Sequence, residues 1–312
     1  MLSCAILLGP QRHVRIVRPA LDALLPDAKT PVALVSAGWE EREPEDHEFR
    51  DHVARPVHNL EVWARVERIF ERDRELLAAM RQRQDTLRRV QELYRIRLLG
   101  AIDAARELLR RPASGDPWVA AERHDALETL RGIDAQHVER VYRVHDEFET
   151  RWRPAERAAV QREKRDLHKK LADAGCLCIA GGHLAALLHR LRLFDVLGLH
   201  GDRPVIAWSA GAMALCENIV LFHDTPPQGS ACAEVMEAGF AAVPDLVALP
   251  HAKRRLDAAD ERNVQLFARR FAPAMCVLLD DGARIDWNGS RWSAQPDTRR
   301  LSEDGWVEEV GP

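Results

Sequence analysis

The chain has 312 residues, of which 46% are hydrophobic and 30% are charged, and this composition excludes a wholly disordered protein. The 45 basic and 49 acidic residues leave a net charge of −4, so the composition does not predict a nucleic-acid partner. No apolar run approaches the roughly 18 residues of a membrane-spanning helix, so no membrane association is expected.

Residues 1–55 have the pattern of an α/β core. The apolar run 5–8 is too short for a signal peptide and lacks a basic segment before it, so it predicts a buried first strand. A helix is predicted over 15–25 and a second buried strand over 31–36. The mostly acidic stretch 39–45 follows that strand, where we expect either a lid or an exposed loop.

Residues 56–174 have a different pattern, with apolar residues at helical spacing among many Arg and Glu. A break at 111–117 separates two amphipathic stretches, and there Asp116 is placed to cap a helix that starts at Pro117. Pro154 interrupts the second stretch. The pattern predicts a long antiparallel helical hairpin or a small bundle, either protruding or packed on the core.

After residue 175 the α/β pattern returns, with short apolar strands alternating with helices. Asn288-Gly289 between two alternating runs predicts a β-hairpin near the carboxyl terminus. The predicted strands are 176–180, 204–208, 219–222, 246–249 and 276–279, and the predicted helices are 184–197 and 257–271. These elements predict a mostly parallel, layered α/β fold with an antiparallel edge.

The stretch 205–213 places Ser209 between a buried strand and a helix, with small residues after it. This arrangement is typical of a nucleophile elbow, in which a tight turn lifts the serine Oγ above the sheet edge. The N–H groups of the following helix would favour the negative charge that develops in acyl transfer. The alternative is a serine that only caps the helix.

In its motifs the chain resembles the peptidase E (aspartyl dipeptidase) and cyanophycinase family of serine peptidases, whose fold is like that of class I glutamine amidotransferases. The family has a Gly-Gly loop after a strand, a small-x-Ser-Ala-Gly-Ala turn, and then an Asp and a His. This chain has Gly181-Gly182, then Trp208-Ser209-Ala-Gly-Ala212, then Asp224 and His251. The tryptophan before the serine is similar to the peptidase E version.

The resemblance covers about residues 175–280 and, more loosely, the first two strands. It implies a three-layer, mostly parallel α/β sheet with a large α-helical hairpin insertion. We expect residues 1–55 to form the first part of the core, 56–174 the insertion, and 175–312 the second part, with the elbow and the carboxy-terminal hairpin.

The resemblance also implies a Ser-His-Asp triad. Ser209 would attack the carbonyl, His251 would act as base and then as acid, and Asp224 would orient the imidazole. Backbone N–H groups of Ala210 and Gly182, in the Gly181-Gly182 loop, would bind the oxyanion.

Several residues have alternative interpretations. His223 is a second candidate for the base, and His183 either contacts substrate or starts a helix. By its position after His251, Arg262 is the expected counterpart of the family's substrate-binding arginine, although Lys253, Arg254 and Arg255 lie closer to His251 in the sequence. The alternative is that these basic residues only belong to a solvated helix face. Asp280-Asp281-Gly282 is interpreted as a hairpin turn.

No metal site is expected, because no Cys-x-x-Cys or His-Glu-x-x-His spacing occurs. Cys176 and Cys178 are expected to face opposite sides of their strand. The six scattered cysteines indicate reduced thiols and, with no signal peptide, a cytoplasmic location.

The first functional hypothesis is a serine hydrolase, a peptidase that needs no cofactor and cleaves small peptides or isopeptides, aspartyl peptides among them. The insertion would then cap the site, set substrate size or mediate homo-oligomer formation. The second hypothesis is a non-catalytic amidotransferase-like scaffold whose insertion binds a partner protein.

Overall fold

The computed structural model describes residues 2–112, 115–224 and 232–310. The strands are β1 (Ala5–Leu8), β2 (Val32–Val35), β3 (Val57–Asn59), β4 (Cys176–Ile179), β5 (Val205–Trp208), β6 (Asn218–Leu221), β7 (Glu234–Ala238), β8 (Leu246–Pro250), β9 (Met275–Leu279), β10 (Arg284–Trp287), β11 (Trp292–Ala294), β12 (Arg299–Leu301) and β13 (Val307–Glu309). The helices are α1 (Val17–Leu24), α2 (His47–Val53), α3 (Val62–Arg72), α4 (Arg74–Arg110), α5 (Pro117–Trp152), α6 (Ala158–Ala172), α7 (Leu184–Phe194), α8 (Val196–His200), α9 (Ala210–Leu215), α10 (Ala252–Arg255) and α11 (Glu261–Phe271). Short 3₁₀ helices lie at Ala37–Arg42 and Pro154–Glu156.

The central sheet has seven strands in the order β11-β10-β1-β5-β4-β2-β3. The strands from β1 to β3 in this order pair in parallel, and β10 and β11 add an antiparallel edge. Four of the parallel strands, β1, β2, β4 and β5, are buried at every position, as expected for a parallel sheet covered on both faces. The predicted α/β fold with an antiparallel edge and a long helical insertion is confirmed.

A second sheet has the order β13-β12-β9-β8, and β6 and β7 form a separate antiparallel pair. Strands β8 and β9 run parallel, with Pro250 opposite Leu279 at their carboxyl ends. The residues that follow these two strands, His251 and Asp280, therefore leave the second sheet side by side.

The long helices α4 and α5 form the predicted hairpin. The Asp73 side chain accepts a hydrogen bond from the Leu76 N–H at the start of α4, and Asp116 accepts one from Trp118 N–H at the start of α5. These carboxylates satisfy amide groups that have no partner within a helix. The connection between the helices includes residues 113–114, which lie outside the described residues.

The hairpin packs on the body of the protein instead of protruding from it. Its buried side chains, such as Leu98 and Leu130, share an apolar core with Val247 of β8 and Phe267 of α11. Strand β3 belongs to the central sheet although it lies beyond residue 55, and α3 and α6 pack on the core of that sheet. The segment that is added to the α/β body is therefore chiefly α4 and α5.

Cys176 and Cys178 do not face opposite sides of β4. Both belong to the same apolar cluster, whereas the intervening Leu177 belongs to the cluster on the other face. The earlier expectation was wrong because side chains two residues apart on a strand share a face. All six cysteines carry free thiols. None of the described helices is both long enough and apolar enough to span a bilayer.

A buried network joins both helices of the hairpin to the body. The Arg270 guanidinium on α11 donates two hydrogen bonds of 2.6 Å to the Asp134 carboxylate on α5. The Tyr94 hydroxyl on α4 donates to the same carboxylate at 2.7 Å and accepts from the Val235 N–H at 3.0 Å. Residues of α4, α5, α11 and β7 thus meet at the ion pair of Asp134 and Arg270, which is shielded from solvent.

Replacing Asp134 by Ala should lower the free energy of unfolding by about 3–5 kcal/mol, because it leaves the buried Arg270 charge without its partner. Denaturant unfolding measures this loss. The exposed pair of Glu139 and Arg143 on the same helix, 3.2 Å apart, is the matched control. Glu139→Ala should cost about 0.5 kcal/mol or less. Equal effects of the two substitutions would contradict the assigned role of the network.

Candidate active site

The chain turns sharply at Ser209, between β5 and α9. Ser209 has φ 52° and ψ −120°, a conformation that residues with a side chain rarely adopt. Its N–H donates to the Leu8 carbonyl at the end of β1, and its carbonyl accepts from the Met213 N–H in α9. The half-buried serine is therefore fixed where the parallel strands end.

The Gly181-Gly182 loop after β4 lies directly against this turn. A Cβ atom on Gly181 would stand 2.8 Å from Ser209 Cβ, closer than real side chains allow. Gly182 has φ +113°, and a Cβ there would lie 2.3 Å from the Gly38 carbonyl oxygen. Only glycine lets the backbone of this loop approach the serine so closely.

His251 follows β8 and adopts a left-handed conformation, with φ 59° and ψ 33°. Its N–H donates to the Leu279 carbonyl at 3.3 Å, which ties it to the neighbouring strand β9. Burial, followed by the charges of Arg255 and Arg254, lowers the pKa of His251, while Asp281 and Asp280 oppose this shift. The imidazole is therefore neutral at neutral pH, as a general base must be.

Ser209 and His251 line one cavity of about 330 Å³ together with Gly181 and Gly182. Ala210, whose N–H was expected to bind an oxyanion, is the first residue of α9 and is buried beside the cavity. The structure thus brings together the predicted nucleophile, the predicted base and the glycine loop. Because these groups come from β4, β5 and β8, the site needs both the central and the second sheet.

Asp224 is not placed with these residues. One of its carboxylate oxygens accepts from the Asp257 N–H at 2.6 Å and the other from Asn263 Nδ2 at 3.2 Å. Asp224 and Arg262 line a different cavity, of about 340 Å³. The expected pairing of Asp224 with His251 and the expected reach of Arg262 to the substrate therefore have no support in this arrangement. Burial raises the pKa of Asp224.

The two other histidines singled out in the sequence lie outside the lining of the Ser209 cavity. His183 caps α7, since its Nδ1 atom accepts from the Ala186 N–H at 3.1 Å. This is the helix-starting alternative considered from sequence. His223 has a buried Nδ1 atom without a hydrogen-bond partner in the described residues, and it does not reach the Ser209 cavity.

Asp280, which the sequence interpretation assigned to a turn, directly follows β9, the strand that pairs with β8. A turn does follow β9, since the Ala283 N–H donates to the Asp280 carbonyl, but it leads to another sheet and is not a hairpin turn. The Asp280 side chain is buried, and its Oδ1 atom accepts from the Lys253 N–H at 2.9 Å. Its buried Oδ2 atom has no hydrogen-bond partner in the described ranges, and the Arg299 guanidinium lies 3.8 Å away. The only signal in the sequence was an acidic residue directly after the predicted strand 276–279, since the pairing of that strand with β8 is visible only in the structure.

In the stretch 39–45, Trp39 and Glu43 lie against the body of the protein, whereas Glu41, Arg42, Pro44 and Glu45 are exposed. Trp39 lines the Ser209 cavity from a 3₁₀ helix. The Glu43 side chain is 1% exposed, and its two oxygens accept from the Trp63 and Ala64 N–H groups at 3.0 and 2.9 Å. This carboxylate caps α3 and so fixes the segment as part of the cavity wall. No described residue of α3 to α6 lines the cavity, so these helices do not cap it.

His145, His189 and Glu237 form a cluster whose potential metal-ligand atoms lie within 4.8 Å of one another. Sequence reasoning missed this cluster because the residues come from α5, α7 and β7. Arg192 contacts the same carboxylate and so supplies a positive charge where a cation would bind. Burial opposes ionisation of Glu237, but hydrogen bonds from His145 and His189 and the Arg192 charge outweigh it and hold the pKa well below its usual value. The absence of a metal stays a prediction.

The sequence model of peptidase family S51 matches residues 129–294, a little more than half of the chain. No curated protein matches the sequence. Among solved structures, the crystal structure of a peptidase from an acI-B1 Actinobacterium is similar, with a TM-score of 0.43 and 10% identity. That match covers 100% of this chain and 96% of the other.

The strained backbone of Ser209 yields a prediction that does not depend on activity. Ser209→Gly should be more stable than Ser209→Ala by about 1 kcal/mol, because glycine adopts a positive φ without steric cost. Thermal unfolding of the two variants measures the difference. At Ser36, where φ is −119°, the same two substitutions should rank in the opposite order, with Ala more stable than Gly. The same order at both positions would contradict strain at Ser209.

Proposed function

The chain belongs to peptidase family S51 and is therefore a serine-type peptidase, and we propose that Ser209 and His251 are its nucleophile and general base. The observation that carries this proposal is their presence in one cavity, where the strands β5 and β8 end. Ligands of α/β sheets usually bind at the carboxyl ends of the strands. The lowered pKa of His251 supports the role of base, because an imidazole that is already protonated cannot accept the serine proton.

The proposed reaction proceeds through an acyl-enzyme. Ser209 Oγ bonds to the carbonyl carbon of the scissile amide, and its proton passes to His251. The protonated imidazole then gives that proton to the leaving amine as the carbon–nitrogen bond breaks. Water, deprotonated by His251, attacks the ester, which releases the acid product and returns the proton to Ser209. No cofactor takes part in these steps.

Charge on the tetrahedral oxygen requires N–H donors that are already in position. The backbone N–H groups of Gly182 and Ala210 are the proposed donors. They belong to the two segments that meet at Gly181, whose missing side chain allows the close approach to Ser209. A substitution with a side chain at Gly181 would separate the loop from the turn and so displace these donors.

We assign the acidic member of the proposed triad to Asp280 instead of Asp224. Asp280 follows β9, which pairs in parallel with the strand that precedes His251. Its buried Oδ2 atom has no hydrogen-bond partner in the described part of the chain, so it can accept an imidazole N–H. The carboxylate of Asp224, in contrast, is held by Asp257 and Asn263 in the other cavity.

The substrate is proposed to be a short peptide or isopeptide, because a cavity of about 330 Å³ is at the small end of ligand sites. Ser209→Ala should abolish cleavage of every substrate in a dipeptide panel that the wild type cleaves, since the acyl-enzyme cannot form. Liquid chromatography of the products measures cleavage. Ser36→Ala, a serine outside the cavity, serves as the control and should retain activity. Cleavage that persists in Ser209→Ala would refute the proposed nucleophile, whereas a wild type that cleaves no member of the panel would favour the scaffold alternative.

The two aspartates can be distinguished by matched substitutions. Asp280→Asn should lower kcat/KM by about 10³–10⁴-fold, because an amide favours the wrong imidazole tautomer. Asp224→Asn should change kcat/KM by less than about tenfold, since its contacts lie in the other cavity. Steady-state kinetics of both variants, with circular dichroism to check folding, decides between them. The reverse order of effects would restore Asp224 as the acid.

A further inference from the structure

We infer that this site selects a short peptide with an aromatic or large apolar side chain and a free carboxylate, and that Arg12 binds that carboxylate. This inference deepens the proposed function and rests on it for the cleavage step. It differs from the expectation based on Arg262, because Arg262 lies in the cavity of Asp224. The proposed substrate-binding arginine therefore lies in the loop after β1 and not in the region after His251.

An aromatic wall, formed by Trp39, Phe49 and Trp208, lines the Ser209 cavity. The rings of Phe49 and Trp208 are stacked, with centroids 5.7 Å apart and planes inclined by 17°. Phe49 and Trp208 are only 9% and 7% exposed, so the half-buried Trp39 is the more accessible ring of this wall for contact with another aromatic group. A small or acidic side chain would leave this surface without a complementary partner, so the wall favours a large apolar side chain.

The charges of the cavity leave one cation uncompensated. Arg15 is paired with Glu48 at 2.8 Å. Burial, followed by the charges of Arg15 and Arg18, lowers the pKa of His52, so that His52 is neutral at neutral pH. Arg12 lines the cavity, is exposed, and makes no hydrogen bond or ion pair with the residues that the structure describes.

A free guanidinium next to one ion pair and a neutral histidine gives the lining a single net positive charge. This charge matches one carboxylate. The fork of donors on Arg12 can bind both oxygens of that group.

Arg12 is carried by a loop that its neighbour holds in place. Gln11 Oε1 accepts from the Ile16 and Val17 N–H groups at 2.7 and 3.1 Å, and Gln11 Nε2 donates to the Gly9 carbonyl at 2.9 Å. These three bonds close the loop between β1 and α1 and cap the helix. A fixed loop reduces the entropy that binding must otherwise overcome, so Arg12 is a suitable anchor despite its exposure.

The size of the cavity indicates which carboxylate Arg12 binds. A volume of about 330 Å³ matches a ligand of one or two residues. In so short a peptide the carboxy-terminal group is always present near the scissile bond. The predicted substrate is therefore a dipeptide-sized molecule that combines an aromatic residue with a free carboxyl terminus.

The test compares Phe-Ala, Ala-Phe, Ala-Ala and Asp-Ala, each as the free acid and as the carboxy-terminal amide. Binding is measured by isothermal titration calorimetry to Ser209→Ala, and cleavage is measured with the wild type. The free acid of the better phenylalanine peptide should bind more tightly than its amide by about tenfold or more, because a charge-assisted hydrogen bond contributes that much. Arg12→Gln should remove this difference, whereas Arg18→Gln on the same segment and Arg262→Gln should keep it.

The aromatic wall has its own variant. Trp39→Ala should lower the preference for the phenylalanine peptide over Ala-Ala by about tenfold, the usual scale for apolar discrimination. Equal binding of acid and amide, tighter binding of Asp-Ala, or a requirement for Arg262 would overturn the inference, even if Ser209-dependent cleavage occurs. Failure of all four peptides to bind would also overturn it. The expected binding pattern without any cleavage would instead refute the proposed function.

Discussion

The backbone conformation of Ser209 is imposed by the strands on either side of it. Its N–H is bound to Leu8 at the end of β1, and Gly181 at the end of β4 leaves no room for a side chain next to Ser209 Cβ. The order β1-β5-β4 in the central sheet brings all three segments to one edge. A turn that is strained in isolation persists because the surrounding sheet determines it. The glycine loop, the cavity and the proposed oxyanion donors are all placed relative to this turn.

The residues proposed as base and acid follow strands of a second sheet that packs on the first. Helix α9, which begins after Ser209, shares an apolar core with β8, so that Leu215 and Ala248 are buried together. This packing fixes the distance between the turn and the end of β8, where His251 lies. The parallel pairing of β8 with β9 then places Asp280 beside His251. The proposed site thus depends on packing between the sheets, and small shifts between them would separate the proposed nucleophile from the proposed base.

The helical hairpin contributes more to the stability of the molecule than to the proposed active site. Its helices are joined to α11 and β7 by the Tyr94–Asp134–Arg270 network and by the cluster around Glu237. None of the described residues of the hairpin lines the Ser209 cavity. The cavity is instead enclosed by the β1–α1 loop, the 3₁₀ helix with Trp39, and α2. These segments carry Arg12 and part of the aromatic wall, whereas the hairpin has a charged face.

The sequence by itself determined many of the strands and helices and pointed to Ser209 as the proposed nucleophile. Short apolar runs bounded by Gly or Pro placed β1, β2, β4 and β5, because a strand buried on both faces has no polar positions, and Asp116 marked the start of α5 through its cap. Ser209 and the glycine loop were recognisable because their constraints are local. Only the tertiary structure decided the partners of these residues. Asp224 precedes and Asp280 follows His251 in the chain, and nothing in their spacing shows which strand pairs with β8. That pairing, like the approach of Arg12 to the cavity, depends on packing between distant segments.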